Sequence, residues 1–435
     1  MNLPIVVYED ASWEHFLPLV YTRGVFDLLC GMDSLLAKIQ QLQTAENETS
    51  SVASSRKPKT KIGLWCRDSI APVLTEQKSL PVNQSAPERC LFLNGRGIWK
   101  QLPKVEGTGS WVGVSKKSGQ VVAVHADPAL AARLTPATFL VSPVLPADHP
   151  LLVDLPQHEF DEDVVELMDW PWNLIHANDR AIEFDWRVRR GAPADVWGQV
   201  MTGSHVLAPD SVFIGAGAQI KPCVVIDAEN GPVWIGENVE ILPHSFIQGP
   251  AYIGDDSLIQ PGSVVHAGTT IGPRCKVGGE IETSIIQGFS NKQHDGFLGH
   301  SYIGSWVNIA ADCINSDLKN TYGPVRVPIN GQLVETGEMF VGMLCGDYSK
   351  LGINVSFPTG AVIGFCSSVV GPHSPKFVPS FSWFDDGVHE AFESTRAIEV
   401  ARRVMARRQH EMTSAQECLF KEVRRISPEI EVQTP

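Results

Sequence analysis

Nine cysteines stand singly along 435 residues, and no Cys-x-x-Cys pair occurs. An odd set of this kind argues against a disulfide frame and against a structural zinc site, and it fits reduced thiols in a cytoplasmic protein. No apolar run reaches the roughly 20 residues that a membrane helix needs. The opening Met1-Asn2-Leu3-Pro4-Ile5 has no basic stretch ahead of an apolar one, so no secretory signal is expected either. Positive charge is scarce: 35 Lys and Arg against 49 Asp and Glu leave a formal net charge of −14. A surface of that sign repels phosphate backbones, which disfavours nucleic acid as a partner. Apolar residues at 43% exclude wholesale disorder. The length is too great for one compact core, so two domains and an appendage are expected.

What is present falls into three parts: 1–200, 204–373 and 374–435. The first reads as mixed α/β. Short apolar runs (Ile5–Tyr8, Lys61–Cys66, Cys90–Leu93, Val121–Val124) alternate with helix-compatible stretches such as Met32–Gln43, and Trp172–Arg190 is expected to close this half. Gln40–Thr60, rich in Gln, Ser, Thr and Lys, reads as a surface loop.

From about Ser204 the pattern changes. Ile235, Ile241, Ile247, Ile253, Ile259, Val265, Ile271 and Val277 follow one another at steps of six, and Ile214, Ile220 and Ile226 keep that step earlier. Gly follows the aliphatic residue at Gly215, Gly236, Gly254, Gly272 and Gly278; Pro lies two beyond it at Pro222, Pro243, Pro261 and Pro273. A period of six is neither helical nor that of a simple strand. It means a short strand and a turn, repeated, with the aliphatic side chain inward each time. Three such faces make one coil of a triangular prism, and coils stack about 4.8 Å apart. This is a parallel β-helix, left-handed in the hexapeptide families.

The period breaks between Val277 and Ile303 and again over Ile314–Met339, after which Val341, Ile353, Ile363 and Val369 resume it loosely. Insertions leave a solenoid as loops on one face, so the site is expected in these two interruptions. After Pro372 the coil should end in a connector, Pro375–Phe384, followed by a helical tail, Val388–Arg425. The basic cluster Arg402, Arg403, Arg407, Arg408 reads as the solvated face of a capping helix.

The first interruption carries Gly279-Glu280-Ile281-Glu282-Thr283-Ser284, then His294-Asp295-Gly296-Phe297-Leu298-Gly299-His300-Ser301-Tyr302-Ile303-Gly304, then Val307-Asn308-Ile309-Ala310-Ala311. A carboxylate fourteen residues before an imidazole suits a general base with a partner that fixes its tautomer. This block resembles the acetyltransferase half of the bacterial bifunctional N-acetylglucosamine-1-phosphate uridyltransferase/glucosamine-1-phosphate acetyltransferase family, which shows Glu-aliphatic-Lys-x-Ser, His-Leu-x-Tyr-Leu-Gly and Val-Asn-Ile-Gly-Ala-Gly at these spacings. The resemblance covers roughly Ser204–Gly371. It implies His294 as catalytic base, Glu280 as its carboxylate partner and Asn308 as an active-site asparagine, with Asn320-Thr321-Tyr322-Gly323 resembling the following Asn-Tyr-Asp-Gly loop. It further implies an acetyl-CoA donor, a homotrimer, and Asn320 and Tyr322 as substrate contacts. Three positions depart from it. The family's phosphate-binding lysine is Glu282 here, its Arg-Pro-Gly arginine is Gln260, and its tyrosine after the histidine is Phe297. Either the acceptor is not a phosphosugar, or its phosphate falls to other groups such as Lys292, Lys319 or Arg326.

In the first part, Leu17-Pro18-Leu19-Val20-Tyr21-Thr22-Arg23 with Phe26-Asp27-Leu28 resembles the segment after the glycine loop of sugar-1-phosphate nucleotidyltransferases. The glycine loop itself is replaced by Asp10-Ala11-Ser12-Trp13-Glu14-His15, and the family's Mg²⁺-binding Gly-Asp by Asn94-Gly95-Arg96. A guanidinium cannot ligate Mg²⁺, so Mg²⁺ is expected only if this domain is active. The reading that emerges is an acyl-CoA-dependent transferase acting on an aminosugar, sugar phosphate or nucleotide sugar. The alternatives are a bifunctional nucleotidyltransferase/acetyltransferase and a noncatalytic nucleotide-sugar scaffold. A γ-carbonic-anhydrase-type hydratase, which Gly249-Pro250-Ala251-Tyr252-Ile253-Gly254 resembles locally, lacks its ligand: Gln248 stands where an imidazole is needed.

Overall fold

A computed structural model describes residues 3–50, 62–86, 88–141, 145–146, 149–189 and 198–431. The chain divides into two compact units. The first gathers Met1–Phe16, Thr22–Leu28 and Asp33–Asp169, and the second Leu17–Tyr21, Leu29–Met32 and Trp170–Pro435.

The first unit is built on a six-stranded sheet in the order Ile62–Trp65, Ile5–Tyr8, Cys90–Asn94, Val121–Ala126, Trp111–Ser115, Gln157–Phe160. Its first three strands are parallel, and direction reverses at Val121–Ala126. These are near-continuous Val/Ile/Leu/Phe runs because the central strands are buried throughout. All four strands predicted from the sequence are present. The helix predicted over Met32–Gln43 runs over Leu35–Ser50. The first half of the expected Gln40–Thr60 loop is therefore helical, and its residues 51–60 lie outside those described.

The second unit is a left-handed β-helix of about ten turns, followed by helices. Its three faces are ladders, parallel except that Val388–Ala391 closes the longest by pairing antiparallel with Ser382–Asp385; the longest has eleven strands and the next nine. Along the longest, Ile220, Ile241, Ile259, Val277, Lys292, Ile309, Leu351 and Val369 align rung on rung. Aliphatic side chains from Val212 to Val378 form one continuous buried column. Burying each such side chain contributes about 1.5–3 kcal/mol, and this column, not local propensity, sets the register.

The first interruption of the period is an ordinary coil. Its inward positions are Ile281, Ile286, Lys292, Leu298 and Ile303, so nothing leaves the solenoid there. The second is a real excursion, which carries the hairpin Arg326–Ile329/Gln332–Glu335. Ile353 is not a rung: it is 71% exposed, and Leu351 and Val355 fill the interior. Nor does the coil end at Pro372. Phe377–Val378 and Ser382–Asp385 add in parallel to their ladders, within the stretch expected to be a connector. The tail forms two helices, Ser394–Ala406 and Ser414–Ile430. The helix Pro171–Arg189, expected to close the first 200 residues, packs on the solenoid instead. Asn178 on it donates to Gly268 O at 2.8 Å and accepts from Gly31 N at 2.7 Å. No described helix is long and apolar enough to cross a membrane.

Candidate functional site

On the longest ladder the outward residue before each rung runs Lys276, Asn291, Asn308, Lys350. Beside it, one corner of the prism stacks three rings from successive coils. Phe289 lies on Trp306 (centroids 4.4 Å apart, planes 12° apart), and Trp306 on Tyr348 (6.1 Å, 11°). All three residues take a left-handed backbone, with φ of 67°, 62° and 61°. That conformation is uncommon for a bulky residue, and here the turn of the coil imposes it: Asn238, Asp256, Arg274 and Cys366 take it at the same corner without an aromatic ring. The end of the helix Ser394–Ala406 and the residues after it lie across this corner and enclose a cavity of about 380 Å³.

The cavity is electropositive although the chain is acidic. Lys276, Lys350, Arg407 and Arg408 line it, with Asn291 and Asn308, and none of its lining residues is a carboxylate. Arg408 donates to Asn291 Oδ1 at 2.7 Å, and burial lowers its pKa. Lys350 donates to Trp306 O at 2.7 Å and Tyr348 O at 3.0 Å, and burial pushes its ammonium down to about 8. Desolvated cations beside amide groups and an aromatic wall suit an anion with a flat or apolar body. The basic cluster thus divides. Arg402 and Arg403 are the solvated pair expected, bridged to Glu417 and Glu399, while Arg407 and Arg408 face the cavity.

Of the residues expected at the site, Asn308 lines this cavity, and His294 follows Gln293, which also lines it. His294 is exposed on the turn before Phe297–Gly299. Glu280 does not hold it. Glu280 Oε1 lies 3.1 Å from His266 Nε2, because strand pairing sets Glu280 level with Val264 and Phe297, whereas His294 precedes that rung by three residues. Lys292 is corrected more sharply. It is 2% exposed and occupies an inner rung between Val277 and Ile309. Its ammonium donates to Gly278 O and His294 O, each at 3.0 Å, and burial pushes it down to about 8. It cannot reach a phosphate, but it pins the turn that carries His294.

Asn320, Tyr322 and Lys319 sit together on the excursion, the first two exposed and Lys319 half-buried, away from the cavity lining. Lys319 donates to Pro324 O at 2.7 Å. With Arg326 it lies near Lys376, whose pKa falls through burial and then through these two cations.

His300, the next candidate base after His294, has a carboxylate partner that the sequence reading missed. His300 Nδ1 lies 2.9 Å from Asp317 Oδ2, with side chains only 13% and 14% exposed, against 32% and 51% for His266 and Glu280. The His300 ring stacks on Phe340 at 5.0 Å and lies 5.9 Å from that of His176. Burial lowers the His176 pKa, Glu338 raises it, and His300 lowers it again. The signal was the Asp317 carboxylate seventeen residues on, one coil away.

In the first unit, Arg96 is wholly buried where the sheet strand Cys90–Asn94 ends. All its N–H groups are committed: Nε to Asp10 Oδ1 (2.9 Å), Nη1 to Met168 O (2.6 Å) and Asp169 Oδ1 (2.9 Å), Nη2 to Asp10 Oδ2 and Gln120 Oε1 (both 2.7 Å). Asn94 Nδ2 donates to Asp10 Oδ2 as well, at 2.7 Å.

Comparison with known proteins agrees with both halves. Residues 5–191 match the sugar nucleotidyl transferase family, and residues 232–267 and 250–280 match the bacterial transferase hexapeptide repeat. The chain joins a sugar nucleotidyl transferase domain to a hexapeptide-repeat domain. It is similar to the bifunctional sugar-1-phosphate nucleotidylyltransferase/acetyltransferase of Sulfurisphaera tokodaii, at 34% identity over 136 residues, 31% of this chain and 34% of that one. It is also similar to the bifunctional protein GlmU of Methanococcus aeolicus, at 30% identity over 194 residues, 45% of this chain and 40% of that one. The chain therefore spans about a third to two fifths of the length of these relatives. Among solved structures, LpxA from Acinetobacter baumannii is 13% identical with a TM-score of 0.28, covering 55% of this chain and 94% of that one.

In the nucleotidyl transferase domain the residues present do not fit Mg²⁺. The ion wants several carboxylate or water oxygens in octahedral array. Here both Asp10 oxygens are held by a guanidinium, and among the described residues no group of three or more His, Cys, Asp or Glu side chains could hold a metal.

Proposed function

We propose that the hexapeptide domain transfers an acyl group, acetyl in the first instance, from acyl-CoA to an amine or hydroxyl of an aminosugar, sugar phosphate or nucleotide sugar. The observation that carries this reading is the cation- and aromatic-lined cavity beside Asn308 and next to the His294 turn, within a chain of net charge −14. The two relatives, a bifunctional sugar-1-phosphate nucleotidylyltransferase/acetyltransferase and a bifunctional GlmU, are in keeping with it. His294 takes the proton of the acceptor as that atom attacks the thioester carbonyl. The tetrahedral intermediate collapses, the C–S bond breaks, and the thiolate leaves with a proton from the imidazolium. A thioester is already activated, so no cysteine nucleophile is needed. Asn320, Tyr322, Lys319 and Arg326 on the excursion hold the acceptor and its phosphate, and a homotrimer formed through the solenoid brings them to a neighbour's cavity. Sedimentation at micromolar concentration should give a trimer, and a monomer would refute that part.

The test is release of free thiol from acetyl-CoA across a panel of aminosugars, sugar phosphates and nucleotide sugars. On the active acceptor, His294→Ala should lower kcat by about 10²–10⁴-fold. One observation favours a second assignment, the sheltered 2.9 Å pair of His300 and Asp317. If His294→Ala retains full rate and His300→Ala loses it, His300 is the base. Thiol release on no acceptor, with nucleotide sugar still bound, would leave the scaffold reading. The bifunctional reading is disfavoured by Arg96, and pyrophosphate release from UTP or dTTP with a sugar-1-phosphate, abolished by EDTA, would restore it.

A further inference from the structure

The turn after the helix Ser394–Ala406 carries Arg407 and Arg408 to the cavity, and His410 anchors that turn to the solenoid. The His410 ring stands edge-on to Phe289 (centroids 4.9 Å, planes 84° apart) and to Trp306 (5.7 Å, 75°). Its Nε2 lies 2.9 Å from Arg274 Nη1. A guanidinium nitrogen only donates, so Nε2 offers a lone pair, the hydrogen sits on Nδ1 and the ring is neutral. Arg274 is itself fixed from two sides. Its Nε lies 3.3 Å from Asp256 Oδ2, one coil earlier, and its guanidinium lies 5.6 Å from the Phe289 centroid. The cavity lining takes in Arg407 and Arg408 but not the imidazole, so His410 acts as a positioning residue.

A proton on Nε2 would set a second donor, and a second positive charge, against Arg274. The charges around the ring do not offset this. Arg407 and Arg408 precede it on its own turn, and Lys276 follows Arg274 by two residues on the ladder. Cys275, between those two, is neutral, its thiol pushed up to about 12 by burial. Of opposite sign are Asp256, already bonded to Arg274, and Glu411, exposed next to His410. The turn is already crowded with cations: burial lowers the Arg408 pKa, and Arg407 and Arg274 lower it further. We propose that His410 is a pH-sensitive clamp. Neutral, it holds the Arg407–Arg408 turn against the ring stack; protonated, it releases the turn and takes both arginines off the cavity. The consequence for catalysis rests on the acyl-CoA reading of that cavity, whereas the clamp is a property of the ligand-free chain. The docked turn needs the neutral ring, while a released imidazole takes up a proton near pH 6.5 as in water. Release therefore becomes about tenfold more favourable from pH 7.5 to pH 5.5.

Hydrogen exchange of the full, ligand-free chain at pH 7.5 and 5.5, corrected for the intrinsic pH dependence of exchange, tests this. The reporters are the amides of Arg407, Arg408, Gln409 and His410, which donate to the carbonyls of Arg403, Met405, Ala406 and Met405. Exchange in the wild type should quicken about tenfold at pH 5.5. His410→Gln keeps a neutral acceptor for Arg274 and does not titrate, so it should exchange slowly at both pH values. His410→Lys is charged at both and should exchange fast at both. A wild-type change under about twofold, or a His410→Gln chain that is fast at pH 7.5 or quickens at pH 5.5 as the wild type does, would overturn the proposal. Calorimetry with coenzyme A at pH 7.5 reads the cavity separately. No binding, with the expected exchange pattern, would refute the acyl-CoA reading and leave the clamp standing; binding with exchange that ignores pH would refute the clamp alone.

Discussion

Replacing Lys292 by methionine should alter how stability depends on pH. The wild-type ammonium sits on an inner rung with a pKa pushed down to about 8 by burial, against roughly 10.4 in an unfolded chain. Below pH 8 both states are protonated, and the folded one bears the full cost of a buried charge. Between about 8 and 10.4 the folded state has lost the proton while the unfolded state keeps it. Stability therefore rises with pH in that window. Integrated from pH 7 to 9, the gain from this one group is about 1 kcal/mol. The buried thiols act in the opposite sense. Cys275, Cys345 and Cys366 are pushed up to about 12 by burial, so the unfolded chain ionises first, near 8.5, and loses protons the folded chain retains. Cys66, Cys90 and Cys313 are raised by burial as well, so the summed loss is at least as large as the gain from two buried lysines, Lys292 and Lys350, and the net slope of the wild type does not isolate either. The difference between wild type and Lys292→Met cancels the thiols other than Cys313, which interacts with the Lys292 ammonium. Urea unfolding followed by tryptophan fluorescence at pH 7, 8 and 9 should show wild-type stability rising relative to the variant by about 1 kcal/mol. A difference flat to within about 0.3 kcal/mol would mean that the ammonium titrates as in water, and would refute its burial.

Arg96→Met should leave the Asp10 carboxylate buried without its counter-ion, at a cost of about 3–5 kcal/mol. Hydrogen exchange of peptides spanning Ile5–Tyr8 and Cys90–Asn94 should then quicken by roughly 10²-fold or more; a change under tenfold would mean the network is not holding this unit. Arg408→Ala should weaken acetyl-CoA binding by about 10- to 100-fold through loss of a charge-assisted contact, whereas Arg402→Ala and Arg403→Ala, which touch only exposed carboxylates, should leave it within twofold. Equal losses in all three would show long-range attraction and not a cavity contact.

The solenoid was legible because its inward residue recurs every six positions from Ile235 to Val277 without exception. Legibility failed where one residue broke that rule. Lys292 takes an aliphatic position, and the steps around Ile281 and Ile286 shorten to four and five, so an intact coil read as an insertion. A long alkyl stem with two carbonyls to receive its ammonium serves as a rung, and no periodicity score would count it. Ile353 failed in reverse: its spacing suited a rung, but Leu351 and Val355 hold the interior. The pairing of Glu280 with His294 failed because residues fourteen apart need not share a level once coil lengths vary. The split of the basic cluster into solvated and cavity-facing arginines depends on where the tail folds back, which helix periodicity does not encode. The α/β half was readable as strands and one helix, but its buried Arg96 network joins residues 10, 96, 120 and 169, a set that only the tertiary fold assembles.

The ring stack at the prism corner sets where this chain can change length over evolutionary time. Phe289 and Trp306 are seventeen residues apart, and Trp306 and Tyr348 forty-two, yet the rings meet in the same column. The long interval holds the hairpin excursion, so many residues have been added on another face without displacing the column. A lineage could therefore lengthen, shorten or exchange that excursion freely. A single residue gained or lost between Trp306 and Ile309 would rotate an aromatic ring out of the stack and an aliphatic rung out of the core together. Variation in length and sequence should accordingly accumulate in the excursion, while the corner stays fixed in spacing even where its ring types drift.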